Sequence, residues 1–151
     1  MGVRAATVDL GGWDTHQYQG EGGKGYIGDL LNELARGLQA FYVDLGGHAK
    51  RVTVAVMSEF GRRLSENASY GTDHGHGSAM FVLGGSVQGG KVYGRFPGLQ
   101  PDQLYDRADL NWTTDYRNVF NEILTTRFKH TRIKEVFPDF TPAKALGVMN
   151  G

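Results

Sequence analysis

The chain has no cysteine, so disulfides, thiolate nucleophiles and cysteine-ligated zinc or iron–sulfur sites are excluded, and any bound metal must draw its ligands from His, Asp or Glu. An excess of one charge sign is also missing. Lysine plus arginine and aspartate plus glutamate total 16 each, which leaves no electrostatic reason to expect nucleic acid or an anionic membrane surface as partner. No apolar run approaches the roughly 20 residues that cross a bilayer, and Met1-Gly2-Val3-Arg4 lacks the hydrophobic stretch of a signal peptide. Proline is scarce, and two of the four prolines fall after residue 137. What the chain has in excess is glycine: 23 in 151 residues, about twice the usual share of roughly 7% and without a fibrous repeat, which implies many tight turns.

The glycines cluster at 11–12, 20–28, 46–47, 71–77 and 84–94, with apolar segments between them. Residues 3–10, short and rich in small and β-branched side chains, read as a buried strand stopped by Gly11-Gly12. From residue 26 to 45 the apolar residues recur at three-and-four spacing, which predicts a helix stopped by Gly46-Gly47. Residues 51–57 form a β-branched run expected of a central strand covered on both faces. Strand, helix and strand make a βαβ unit. A third strand is expected at 79–83, and a second helix at 115–128 with Thr113 or Thr114 as N-cap. The expected fold class is α/β, a mainly parallel sheet flanked by helices, in a single domain over residues 1–137 followed by an extended tail over 138–151.

In an open parallel sheet, ligands bind beyond the carboxyl ends of the strands, where the crossover loops converge. Three segments hold that position: Asp9 to His16, Ser58 to Arg63, and Gly71 to Ser78. They carry three of the five histidines together with Asp9, Asp14, Glu59 and Asp73. Neutral imidazole and carboxylate suit zinc, manganese or iron, and flanking glycines let adjacent side chains converge on one ion. Each candidate has a plainer reading beside this one. Asp14 and His16 read equally as a turn-capping aspartate and a surface histidine. Asp73, His74 and His76 read also as solvated residues of a glycine loop, and Glu59 as the ion-pair partner of Arg62 or Arg63. Arg62 and Arg63 could fork onto a phosphate or sulfate. There is no Gly-x-Ser-x-Gly elbow, no phosphate-binding Gly-x-x-x-x-Gly-Lys-Ser/Thr and no His-Glu-x-x-His helix.

Gly12-Trp13-Asp14-Thr15-His16, then Ser58-Glu59-Phe60-Gly61-Arg62 after an apolar strand, then Gly71-Thr72-Asp73-His74-Gly75, followed by Val82-Leu83-Gly84-Gly85 and Gly89-Gly90, occur here in one order. Together they resemble an uncharacterised bacterial family of exported, sulfatase-like proteins of unknown function in the alkaline phosphatase superfamily. The resemblance implies a partial three-layer α/β/α sandwich and a two-metal hydrolytic centre. Asp14, His16, Glu59, Asp73, His74 and His76 are then the metal-ligand candidates, zinc above manganese or iron. Glu59, Arg62 and Asp73 are the catalytic candidates, with Arg62 holding an anionic group. Glu59-Phe60 stands where relatives carry an Asp-His pair, and the relatives' first metal aspartate and Ser or Thr nucleophile lie in an N-terminal portion that precedes these segments.

The resemblance therefore implies the C-terminal part of such a protein, with a sheet edge and an apolar surface exposed. Homo-oligomerisation is the expected remedy, and a periplasmic or secreted location is implied. The function expected is metal-dependent hydrolysis of a small phosphate, sulfate or other ester. The alternatives are a non-catalytic binding or assembly module and a carboxylic esterase using Ser58 or Ser78 with a histidine.

Overall fold

The computed structural model describes residues 2–150, which divide into two compact units. The first comprises the chain up to Asp44 together with Ser65–Asp73; the second comprises Leu45–Leu64 and the chain from His74 onward.

In the first unit the helix read from the sequence is present as α1 (Gly25–Leu45). It ends where Gly46 takes φ 49, the left-handed conformation that stops a helix at no steric cost to glycine. Leu30 is the one buried residue of α1. With Tyr26 it lies against Gly12, where an added Cβ would strike the Tyr26 hydroxyl and the Leu30 methyls. The loop of residues 65–73 is tied to the segment before α1 by backbone bonds from Tyr18 N–H to the Ser69 carbonyl (2.9 Å) and from Gln19 N–H to the Tyr70 carbonyl (2.8 Å).

In the second unit a 3-10 segment, Gly46–Arg51, leads into β1 (Thr53–Val56). The short strands β2 (Gly61–Arg62) and β3 (His74–Gly75) follow, then β4 (Phe81–Gly84) and α2 (Tyr116–Phe128). β1 pairs antiparallel with β4, Thr53 opposite Gly84 and Val56 opposite Phe81; β2 pairs antiparallel with β3, Arg62 opposite His74. Val119 and Ile123 of α2 meet Val148 and Met149 in a small buried core, with Ala55 and Val82 of the two long strands packed against it. A second apolar group gathers Phe120, Phe137 and Phe140 at centroid distances of 6.0–6.3 Å.

The carboxylate of Glu122, buried on α2, accepts backbone N–H groups from four consecutive residues: Leu146 at 2.5 Å, Gly147 at 3.2 Å, Val148 at 2.8 Å and Met149 at 3.3 Å. That contact carries Val148 and Met149 into the core without a sheet partner for each of their N–H groups. The cap of α2 is also a carboxylate. Asp115, not Thr113 or Thr114, accepts the Arg117 N–H at 2.9 Å, while Thr113 donates to the Arg95 carbonyl at 2.6 Å. A carboxylate is the better group there because it meets both the unpaired N–H groups and the positive end of the helix dipole.

These elements correct the expected fold class. The described residues contain two helices and two short antiparallel two-stranded sheets, not a parallel sheet layered between helices. A parallel pair needs a crossover that carries the chain back over the sheet, usually a helix. Between β1 and β4 the chain instead turns through the β2–β3 ladder and bends and returns in the opposite sense. Residues 3–10 join no ladder, with Val3 and Val8 at 88% and 92% exposure. β-branched composition suits a strand, but only a neighbouring strand can pair its backbone. All four residues of β1 are half-buried, as fits a two-stranded sheet with one face on the core rather than a central strand covered on both.

Two outcomes follow from the carboxylates on α2. Glu122→Gln keeps the shape but swaps an accepting oxygen for a donor facing donors, and is expected to cost about 1–3 kcal/mol, read as a lowered midpoint in urea unfolding followed by circular dichroism. Asp115→Ala is expected to cost about 1 kcal/mol at neutral pH. The Arg117 side chain, with its backbone N–H adding to it against the opposing effect of burial, holds the Asp115 carboxyl below its ordinary value. The stabilisation is therefore complete above the unfolded carboxyl pKa and disappears as pH falls through the lower folded value. The stability gap between wild type and Asp115→Ala should shrink below about pH 4, and a gap that persists unchanged to lower pH would contradict this assignment.

Candidate functional site

Three of the residues nominated from the sequence meet in the first unit. The His16 ring lies between two carboxylates: Nε2 is 3.0 Å from Asp14 Oδ1, and Nδ1 is 2.9 Å from Asp73 Oδ1. Asp14 and His16 sit in the turn after Gly12, where backbone bonds from Thr15 N–H to Trp13 and from His16 N–H to Asp14 fold the chain tightly (3.0 and 3.1 Å). Asp73 arrives at the end of the 65–73 loop, 57 residues later.

The residue that joins them is one the sequence reading passed over. Asn67 donates from Nδ2 to the His16 carbonyl (2.9 Å) and to Asp73 Oδ1 (3.0 Å), while its Oδ1 accepts the N–H groups of Ser69 (2.9 Å) and Gly71 (3.1 Å). One side chain thus shapes its own loop and points that loop's aspartate at the histidine. The available signal was an asparagine two residues before a serine and four before a glycine, the composition of a turn in which the Asn side chain bonds the backbone ahead of it. Gln19 plays a similar part: its Oε1 accepts from the Thr15 hydroxyl (2.6 Å) and the Thr72 hydroxyl (2.8 Å). The buried Thr15 also takes the Thr72 N–H on its carbonyl at 3.2 Å. Tyr18 and Tyr70, their rings stacked at 6.1 Å, both adopt left-handed backbone, φ 47 and 59. Such conformations are costly for a bulky residue and persist where the surrounding bonds over-determine them.

Gly71 explains part of the glycine excess in another way. An added Cβ there would run into the backbone of His16 and Gln17, so the residue is glycine because two chain segments touch, not because the turn demands it.

Glu59, Arg62, His74 and His76 belong to the second unit. Glu59 is exposed in the bend after β1. Its expected pairing with Arg62 or Arg63 is not what Arg63 makes, whose Nε lies 3.6 Å from Asp109 Oδ1. The Phe60 ring stacks on the His74 imidazole at 3.8 Å, and the Arg62 guanidinium stands over the same ring at 5.3 Å. His76 stacks on Tyr105 at 3.9 Å, nearly parallel at 7°. These stacks occupy ring faces and leave the ring nitrogens at the edges. The ladder beneath them is as tight as Gly71: a Cβ at Gly61 would strike the Gly77 backbone and one at Gly75 the backbone of Arg62 and Arg63. Of the hydroxyls near the nominated residues, Ser58, a candidate esterase nucleophile, donates to the Phe60 carbonyl at 2.8 Å, and those of Thr15 and Thr72 donate to Gln19.

The arrangement in the first unit has a definite chemical capacity. A neutral imidazole has one N–H donor and one lone pair. Whichever ring nitrogen carries that proton, the other presents its lone pair to a carboxylate oxygen, Nε2 to Asp14 at 3.0 Å or Nδ1 to Asp73 at 2.9 Å. A histidine so placed can serve as a metal ligand through one nitrogen while the other is oriented by a carboxylate. The three side chains are 43–61% exposed, so the ion pairs alone contribute little to stability; Asn67 and the paired backbone hold the geometry.

A histidine held between two carboxylates, on two chain segments locked together by backbone bonds, is the site that fold and geometry define in the first unit. The chain belongs to a protein family of unknown function, DUF1501, whose family model matches residues 1–138. No curated protein matches the chain, and no solved structure matches it. No helix among the described residues is long and apolar enough to cross a membrane.

The clamp is open to a direct check. Asn67→Ala removes the donor to Asp73 and strands two N–H groups, and should cost about 1–3 kcal/mol. In nuclear magnetic resonance spectra the His16 ring signals of this variant should shift towards those of Asp73→Asn, whereas unchanged His16 signals would remove Asn67 from the site.

Proposed function

We propose that the chain acts as a divalent-cation-dependent hydrolase domain for a small phosphate, sulfate or other ester, with Asp14 and His16 Nε2 holding the cation. The observation that carries this reading is the His16 imidazole between Asp14 and Asp73. The spacing of Asp14 Oδ1 and His16 Nε2 suits two ligands of one ion, and Asp73 on Nδ1 supplies the outer carboxylate that fixes the tautomer and raises the basicity of a ligating histidine. One imidazole and one carboxylate favour zinc, with manganese or iron next. When bound, such an ion supplies a Lewis acid for an ester oxygen and lowers the pKa of water. The chain's own residues orient it: Asn67 fixes Asp73, Asp73 fixes His16, and the turn after Gly12 fixes Asp14. The likeness to sulfatase-type hydrolases is part of the proposal through its segments at residues 12–16 and 71–75; the fold itself lends it no support.

A second reading, a cation-binding module without turnover, is favoured by one observation. The threonine hydroxyls flanking His16 and Asp73 are bonded to Gln19, so neither is poised as a nucleophile.

Elemental analysis and a panel of aryl phosphates, sulfates and carboxylic esters separate the two. The wild type is expected to hold near-stoichiometric metal, lost in His16→Ala and in Asp14→Asn, with Asp73→Asn weakening affinity by about 10–100-fold. Affinity should fall with acid, because a proton competes for Nε2, and binding should release protons measurable by calorimetry in buffers of different ionisation enthalpy. Chelator-sensitive hydrolysis supports the enzyme; bound metal without turnover supports the module; a protein that takes up no metal after reconstitution defeats both.

A further inference from the structure

A net charge of zero hides an uneven distribution. The first unit carries three Lys or Arg against eight Asp or Glu, and the second thirteen against eight. Within the second unit the excess gathers in two short stretches. The 3-10 segment Gly46–Arg51 ends on His48, Lys50 and Arg51, and the chain leaving α2 carries Arg127, Lys129, His130, Arg132 and Lys134. No carboxylate occurs between Leu45 and Ser58 or between Ile123 and Lys134. Six of the chain's 16 lysines and arginines thus fall in two stretches that hold no acid, and it is local charge of this kind, not the total, that attracts an anionic partner.

The fold joins the two stretches. The Arg127 guanidinium donates from Nη2 to the Arg51 carbonyl and from Nη1 to the Ser86 hydroxyl, the latter at 2.9 Å. The turn after β4 closes the junction, since a Cβ added at Gly85 would strike the Lys50 backbone. Beyond Arg127 the chain runs a fixed course. Lys129 takes left-handed backbone, φ 55, with its N–H on the Leu124 carbonyl. The His130 N–H bonds the same carbonyl at 3.2 Å, and the Thr125 hydroxyl donates to the His130 carbonyl at 3.3 Å. A 3-10 turn, Ile133–Glu135, then buries Ile133. These bonds engage backbone groups and leave Lys50, Arg51, Lys129, Arg132 and Lys134 exposed. Glu135, the next carboxylate along, pairs with Arg132 at 2.9 Å. A cation at the C-terminus of a helix offsets the helix dipole, which accounts for Arg127 and Lys129, but the effect fades beyond the last turn and accounts for none of the others.

The surroundings of the patch select among anionic partners. α2 turns its C-terminal end, the negative pole of the dipole, to this region, whereas duplex recognition lays a helix or strand in a groove or sets a helix N-terminus on phosphate. The bases of a single strand need exposed aromatic rings to stack on, and Phe128, the one such ring in the two stretches besides the imidazoles, is half-buried. A layer of lipid headgroups asks only for clustered positive charge at an exposed surface. Val136, 45% exposed and two residues after Lys134, adds an apolar side chain that a lipid surface takes up.

We infer that the second unit docks on an anionic lipid surface through this basic patch, as a peripheral contact and not a span. This goes beyond the cation site and does not rest on it. The full chain should co-sediment at low ionic strength with vesicles of three parts phosphatidylcholine to one part phosphatidylglycerol, and not with phosphatidylcholine alone; added salt should release it. Each Lys or Arg lost from the patch should weaken partitioning about 5-fold. Lys129→Gln/Arg132→Gln/Lys134→Gln should therefore lose about 100-fold, and Lys50→Gln/Arg51→Gln about 25-fold. Arg4→Gln/Lys24→Gln/Arg36→Gln removes three charges from the first unit and should bind as the wild type does, which separates a patch from net charge. Circular dichroism checks the fold of each variant, and the Lys50/Arg51 variant decides the matter if the triple patch variant does not fold. A wild type that ignores the anionic vesicles, equal binding to phosphatidylcholine alone, or a first-unit variant that loses as much as the patch variants each overturns the proposal. So does a duplex oligonucleotide that binds more tightly than the vesicles at the same ionic strength, which would assign the patch to nucleic acid.

Discussion

The constraint on which this structure depends is the pairing of backbone N–H groups in a chain with little regular ladder to pair them. Glu122 meets it in the second unit by taking four consecutive N–H groups from residues 146–149, and so brings Val148 and Met149 onto Val119 and Ile123. Asn67 meets it in the first unit by taking two N–H groups of its own loop and giving two bonds outward. A side chain that replaces a strand partner must sit at one position and in one rotamer, so each holds a particular geometry as well as satisfying the backbone. In the first unit the geometry held is that of His16 and Asp73.

The same clamp accounts for the chemistry of the candidate site. An exposed histidine between two exposed carboxylates would ordinarily be one conformer among many, because solvent screens the attraction and side-chain entropy opposes it. Here the loop bearing Asp73 is joined to the turn bearing His16 by backbone bonds and by the close approach of Gly71 to the His16 and Gln17 backbone. Pre-organisation of this kind lowers the ordering cost of binding a cation. It also makes Asn67 and Gly71, neither of which touches a ligand, part of what a functional comparison within the family should follow.

α1 serves the site by packing rather than by supplying a polar group. Its register places Tyr26 and Leu30 against Gly12, supporting the turn from which Asp14 and His16 project.

Much of this could be read from the residues alone. Both helices follow from three-and-four apolar spacing, because helical periodicity is local and long. The grouping of Asp14, His16 and Asp73 was legible as chemistry: histidines and carboxylates beside glycines in a chain without cysteine. The expected parallel sheet failed because apolar and β-branched runs at 3–10, 51–57 and 79–83 state that a segment suits a strand but carry no mark of its partner or direction; those belong to ladder pairing between distant segments. The cap of α2 passed from threonine to Asp115 because a carboxylate and an arginine two residues on could close on each other. Asn67 and Glu122 escaped notice because a polar residue's importance lies in which distant backbone it meets. Local periodicity and composition were decided by the sequence itself; strand direction, the partners of isolated polar side chains and the meeting of residues 57 positions apart were decided only in three dimensions, where backbone groups must find their bonds.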